Sequence, residues 1–154
     1  MRLVVAPDRR LRQRAAPLDL VGDQRWPRER LGRTIMGMLD TMYRHEGVGL
    51  AAPQVGVPFQ ILVVDPWQDR HQAKVLINPE IVWRSPETSE ATEGCLSLPG
   101  QRGLVTRATA ITIRYYDAEY FPSELKADDL LARVLQHECE HLAGVLFTDP
   151  RGTP

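Results

Sequence analysis

The chain has 154 residues, 43% of them apolar and 25% charged, with a formal net charge of -1. That content suits a single domain, residues 1–154, around one core, and it offers no excess of positive charge for a nucleic acid. No apolar run approaches the roughly 18 residues of a membrane span, and two cysteines without a signal peptide point to a soluble protein of the reducing cytoplasm.

Residues 1–33 are rich in arginine, but Asp8, Asp19, Asp23, Pro7 and Pro17 interrupt any transit-peptide pattern, and Leu3-Val4-Val5 reads as an early strand. Pro27 suits the first turn of a helix from about Arg28 to His45, with Leu31, Ile35, Met38, Leu39 and Met42 as its apolar stripe and Gly47 as its stop. Gly32 and Gly37 weaken that helix in isolation, so tertiary packing must carry it. The small-residue run Gly47 to Gly56 follows. It lacks the Lys-Ser/Thr ending of a phosphate loop and the spacing of a dinucleotide fingerprint. It reads either as a tight connection or as a wall where backbone approaches a substrate and Gln54 offers an amide donor, and spacing alone leaves both open.

Phe59 to Val64 is a continuous apolar strand. Val75–Ile77 and Ile81–Trp83 predict two short strands around Asn78-Pro79, and Leu104-Val105 another. Ala110 to Tyr116 alternates Ile111, Ile113 and Tyr115 against Thr112, Arg114 and Tyr116, the period of a half-buried strand. A turn at Pro122 leads to the last helix, with Asp128 or Asp129 as N-cap and Gly144 as stop. Strands in the middle and helices at either end predict an α+β fold: a mostly antiparallel sheet packed around a C-terminal helix, with an N-terminal helix.

That last helix carries Gln136-His137-Glu138-Cys139-Glu140-His141. At about 100° per residue, His137 and His141 stack one turn apart, so both rings can reach one metal ion. Glu138, about 100° round from His137, can reach a water on that metal. Leu130 and Val134 share the histidine face, Leu131, Leu135 and Leu142 an adjoining one, and Arg133, Gln136 and Glu140 the polar strip. Cys139 projects to the opposite side and reads as a core thiol. The third ligand is then one of His45, His71, Glu93, Cys95 and Asp149. Cys95 stands out because Glu93-Gly94-Cys95-Leu96-Ser97-Leu98-Pro99-Gly100 permits an irregular, closely approaching backbone. One cysteine and two histidines leave a position open for water, the mark of a catalytic metal.

These three segments resemble the peptide deformylase family, whose glycine-hydrophobic-glycine-Leu-Ala-Ala-x-Gln, Glu-Gly-Cys-Leu-Ser and Gln-His-Glu-x-x-His motifs match Gly47–Gln54, Glu93–Ser97 and Gln136–His141 in order. The resemblance implies removal of the formyl group from the N-terminal methionine of newly made polypeptides, releasing formate. It implies that Cys95, His137 and His141 hold the metal, natively Fe(II), with Ni(II), Co(II) or Zn(II) accepted. It implies Glu138 as general acid and base, and the Gln54 side chain with the Leu96 N–H as oxyanion donors. Gly49 would bond the substrate backbone, while Val48, Leu130 and Val134 would line the methionine pocket. The implied partners are N-formylmethionyl nascent chains and, transiently, the ribosome. Three features depart from the family pattern: Glu140 stands in place of aspartate, Asp129 in place of glycine, and the chain stops at Pro154 without a longer tail that carries ribosome contacts in some members. Two other readings share the helix. A His-Glu-x-x-His metallopeptidase would need a third ligand from the short stretch after His141, and a non-catalytic metal module would need a closed site of four protein ligands.

Overall fold

The computed structural model describes residues 1–22 and 26–151; Asp23 and Pro154 lie outside them. In chain order the elements are helix α1 (Arg28–Arg44), strands β1 (Gly49–Ala51), β2 (Ile61–Val64), β3 (Lys74–Arg84), β4 (Thr88–Cys95), β5 (Leu98–Ala108), β6 (Ala110–Tyr116) and β7 (Pro122–Asp128), and helix α2 (Asp129–Leu142). One antiparallel sheet runs β1-β2-β3-β6-β7, and β4 and β5 form a separate two-stranded hairpin. The fold is α+β, as expected. No described helix is long and apolar enough to cross a membrane.

The unbroken apolar run of β2 has a direct cause. Leu62 and Val64 face the core that contains Leu131 and Leu135 of α2, while Ile61 and Val63 face the core that contains Leu31, Met38 and Met42 of α1. A strand covered by a helix on each side buries both faces, so its sequence does not alternate. β6 has one buried row, Ile111 and Ile113, and alternates as predicted. A third cluster (Val4, Leu11, Leu98, Val105, Leu146 and Phe147) packs the hairpin against both chain ends and touches Cys95.

Several expectations are corrected. Leu3-Val4-Val5 is not a strand; the Val4 N–H donates to Gln54 O at 2.8 Å and the Ala6 N–H to Ser97 O at 2.9 Å, so the segment ties two parts of the cleft together. The two short strands around Asn78-Pro79 are one strand whose register shifts twice, between Ile77 and Glu80 and between Ile81 and Trp83. Asn78 takes φ +50 there, and its amide bonds both the Leu18 N–H and the Leu18 carbonyl, which steadies the kink. Leu104-Val105 belongs to the long β5, and Pro122 opens β7 rather than sitting in a turn. Helix α1 ends through Glu46 in the left-handed region at φ +56, with the Gly47 N–H donating to Met42 O. At the start of α2, Asp128 is the N-cap residue without a side-chain cap bond, and Asp129 sits at φ +47. Gly144 does end α2, at φ +76, where a β-carbon would stand 2.4 Å from Arg12 O.

Candidate metal centre and active site

α2 carries His137 and His141 one turn apart, and the tip of the β4–β5 hairpin brings in Cys95. The His137 and His141 Nε2 atoms are 3.2 Å apart, and Cys95 Sγ is 3.2 Å from His141 Nε2. Ligand atoms of the three residues all lie within 4.8 Å of one another. Two nitrogens at roughly 2.05 Å from a tetrahedral metal are about 3.3 Å apart, so the spacing of the imidazoles fits a shared ion. The other candidates stand elsewhere. His71 is exposed, His45 caps α1, and Asp149 accepts from Arg12 Nη1 at 2.6 Å. Cys139 packs against the sheet-facing core, and burial pushes its thiol up to about 12.

The two imidazoles differ in their affinity for a proton. Burial works to strip the proton from His137, yet hydrogen bonds to Cys95 and Glu93 and the nearby Glu138 charge raise its pKa to about 10. Burial and the His137 charge push His141 down to about 3. The two imidazoles thus do not both carry a proton, and a metal ion would take the place of protons on their facing nitrogens. His141 Nδ1 and Glu138 Oε2 are both buried without a hydrogen-bond partner among the described residues.

Glu138 has a setting suited to moving protons. Burial lifts its carboxyl to about 7, against the pull of the His137 and Arg107 charges, so it can accept and return a proton near neutrality. Gly49 on β1 makes room for it. A β-carbon there would stand 2.7 Å from Glu138 Oε1 and 2.8 Å from Val134 Cγ1. This close approach of strand and helix explains the glycine. Gln54, in a short 3-10 turn (Ala52–Val55), accepts the Ala51 N–H on Oε1 at 2.8 Å. That bond fixes the amide so that Nε2 points to Ser97 Oγ at 3.2 Å and Cys95 Sγ at 3.5 Å.

A cleft of about 690 Å³ opens above these groups. It is lined by the predicted residues Val48, Gly49, Gln54, Cys95, Leu96, Leu130, Val134, His137 and Glu138. His141 lies beneath it, 2% exposed. Val134 is buried in the cleft, whereas Leu130 is 48% exposed at its rim. All ten predicted site residues thus converge on one place.

The matching family model, polypeptide deformylase, covers residues 1–153. The chain belongs to that family. It is 46% identical over 143 residues to a peptide deformylase of Hamiltonella defensa subsp. Acyrthosiphon pisum (strain 5AT), covering 93% of this chain and 80% of that protein. Among solved structures, the peptide deformylase of Thermotoga maritima matches with a TM-score of 0.88 at 40% identity, over 99% of this chain and 97% of that one. A Synechococcus elongatus peptide deformylase in complex with actinonin matches with a TM-score of 0.87 at 42% identity, over 96% and 78%.

Residue-by-residue reading of the sequence misses the charges behind the candidate metal ligands. Glu93 Oε1 meets His137 Nδ1 at 2.8 Å, the kind of carboxylate partner that orients an imidazole able to bind a metal. Arg107, 4% exposed, donates to Glu93 through Nε at 2.6 Å and Nη2 at 2.8 Å, and Arg133 Nη1 adds a bond at 2.7 Å. Burial opposes a charge on Glu93, but these bonds hold its carboxyl far below the usual range. Arg107 also holds Glu140. The strip of Arg133, Gln136 and Glu140 is therefore not a solvent face: Arg133 bonds Val105 O and Ser89 O, and Gln136 bonds the Ala108 backbone. Glu93 appeared in the sequence only as a possible ligand, and the motif Glu-Gly-Cys was the one signal for its role.

Proposed function

We infer that this chain removes the formyl group from the N-terminal formylmethionine of newly made polypeptides, releasing formate, as its family membership supports. The observation that carries the reading is the Cys95, His137, His141 donor set at the base of a cleft that also contains Glu138 and Gln54. We take residues 1–154 as one catalytic domain.

Cys95, His137 and His141 would hold one divalent ion, natively Fe(II) by family resemblance, with Zn(II), Ni(II) or Co(II) as substitutes. When bound, the metal supplies Lewis acidity and an activated water. Glu138 accepts the proton of the attacking water and delivers it to the leaving amine, two transfers that a carboxylate poised near neutrality performs in turn. Gln54 Nε2 and the Leu96 N–H donate to the oxygen that becomes negative at the formyl carbon. Removing one such donor costs about 3 kcal/mol of barrier. β1 lies at the end of the five-stranded sheet, so an extended peptide can pair along its outer edge at Gly49. The methionine side chain would lie against Val48, Val134 and Leu130. Placement in the cytoplasm and a transient association with the ribosome, where formylated chains emerge, complete the proposal.

Formate release from formyl-Met-Ala-Ser and acetyl-Met-Ala-Ser peptides tests the reading. The expected result is rapid release of formate from the first and no cleavage of the second. Comparable hydrolysis of both, or cleavage at internal peptide bonds, would contradict it.

A further inference from the structure

The two histidines of the metal centre are braced very differently, and the difference leads to the segment after α2. His141 Nδ1 has no partner among the described residues and relies on burial within its helix. His137 is held on two sides. Glu93 takes its Nδ1 atom, and the Phe147 ring lies against the imidazole with centroids 5.9 Å apart and planes tilted by 31°.

Both braces trace back to the same short stretch of chain. Phe147 is 5% exposed within the cluster formed by Leu11, Leu98, Val105 and Leu146. Four residues on, Arg151 donates through Nη1 and Nη2 to both oxygens of Glu140, each at 2.9 Å. The same two oxygens accept from Arg107 at 3.0 and 3.1 Å, and Arg107 in turn grips the Glu93 carboxylate. An unbroken line of charge-assisted bonds therefore joins Arg151 to Glu140, Arg107, Glu93 and His137. Between the two braces, Asp149 pins the segment by accepting from Arg12 and from the Leu146 N–H.

We propose that residues 145–151 form a strap that positions His137 as a metal ligand, Phe147 acting on the ring plane and Arg151 steadying the carboxylate that orients the ring. The proposal rests on the metal-site reading above. Phe147 and Arg151 are positioning residues: neither touches the substrate cleft as a lining group. Partners that orient a ligating imidazole are worth about 10–100-fold in metal affinity, so loss of the buried brace should be visible in metal release. Arg151 has a side chain 38% exposed, and its effect should be smaller because water screens the pair.

The test uses Co(II)-loaded protein, read by its visible thiolate and ligand-field absorption and by the rate of metal transfer to a chelator. Phe147→Ala should speed release by about tenfold or more and alter the ligand-field bands, with Phe147→Leu intermediate. Arg151→Ala should speed release by about twofold to fivefold, with Arg151→Lys closer to the unaltered chain. Leu11→Ala is the control, because Leu11 is 1% exposed in the same cluster but lies outside the strap. It should lower the melting temperature of the metal-free protein while leaving release and spectrum unchanged. Equal effects of Phe147→Ala and Leu11→Ala on release would overturn the strap, as would Arg151→Ala behaving like the unaltered protein. Absence of Co(II)–thiolate absorption in the unaltered protein would instead remove the metal site itself, and the proposal with it.

Discussion

One wall of the cleft, Gly47 to Gln54, is held by close backbone approach and a single buried amide, whereas the opposite wall, the β4–β5 hairpin against α2, is held by ionised groups. On the first wall, β-carbons added at Gly47 or Gly49 would stand 2.8 Å from Leu96 Cδ1 or 2.7 Å from Glu138 Oε1. On the second, Glu93 and Glu140 share the guanidinium of Arg107, and Arg133 and Arg151 flank them. The first wall should be intolerant of added atoms and indifferent to acid. The second should be sensitive to charge, because breaking a buried pair by removing one partner leaves the other uncompensated.

The largest effect is expected where the charged wall carries a proposed metal ligand. Cys95→Ala should weaken metal binding by more than about a hundredfold, beyond the usual loss for an outer partner, and should lower the melting temperature of the metal-loaded form. Metal analysis after gel filtration checks this, and stoichiometric retention would remove Cys95 from the ligand set. On the opposite wall, Gly49→Ala must displace either β1 or Glu138. Since a misplacement of about 1 Å can cost on the order of a hundredfold, kcat/KM for formyl-Met-Ala-Ser should fall by about that factor while metal content stays intact. Activity near that of the unaltered protein would mean that this wall is more yielding than its packing indicates.

Acid should separate the walls. Glu93 has a folded pKa held below its ordinary 4.5, so the unfolded chain binds more protons in the range between the two values. Its contribution is thus fully present above about pH 4.5 and is lost as pH falls toward the folded value. His137 has the opposite sign: raised from 6.5 to about 10, it stabilises the metal-free protein fully below about pH 6.5 and loses that contribution as pH rises through about 10. Melting of the metal-free protein should therefore drop by several degrees below pH 4, and Glu93→Gln should flatten that limb while lowering stability at pH 7. An acid limb unchanged by Glu93→Gln would place the acid-sensitive charge elsewhere.

How much of this was legible in the sequence differs between the walls. The histidine pair, its base and the apolar faces of α2 follow from helical period, and β6 from alternation, because each is a local pattern facing one core. The hairpin leaves no such trace. In β4, Thr88, Ser89, Glu90 and Thr92 are exposed and only Glu93 is buried, so no apolar alternation marks the strand. The ion pairs escape for another reason: Arg107 is 14 residues from Glu93 and 33 from Glu140, and no local rule links them. The first wall was visible as a motif, yet its purpose was not, since the need for Gly49 appears only when Glu138 of α2 is brought against it.

The smallest expected effect is at the head of α2. The sequence suggests that Asp128 or Asp129 caps this helix, but no side-chain cap bond forms and Asp129 occupies the left-handed region at φ +47. Glycine adopts that conformation freely, and aspartate tolerates it at some cost. Asp129→Gly should therefore raise the melting temperature by about 1–3 °C, net of the lost carboxylate at the helix N-terminus, and change kcat by less than about threefold. A fall in melting temperature would show that the carboxylate matters more than the backbone.

The central claim is that Cys95, His137 and His141 bind the metal while Glu138 moves the proton, and Glu138→Gln separates these roles most directly. Metal content and formate release should be measured on the same preparation. The account predicts stoichiometric metal with kcat reduced by about 10²–10⁴-fold, the usual worth of a general acid and base. Turnover within about tenfold of the unaltered protein, or loss of the metal together with activity, would contradict it.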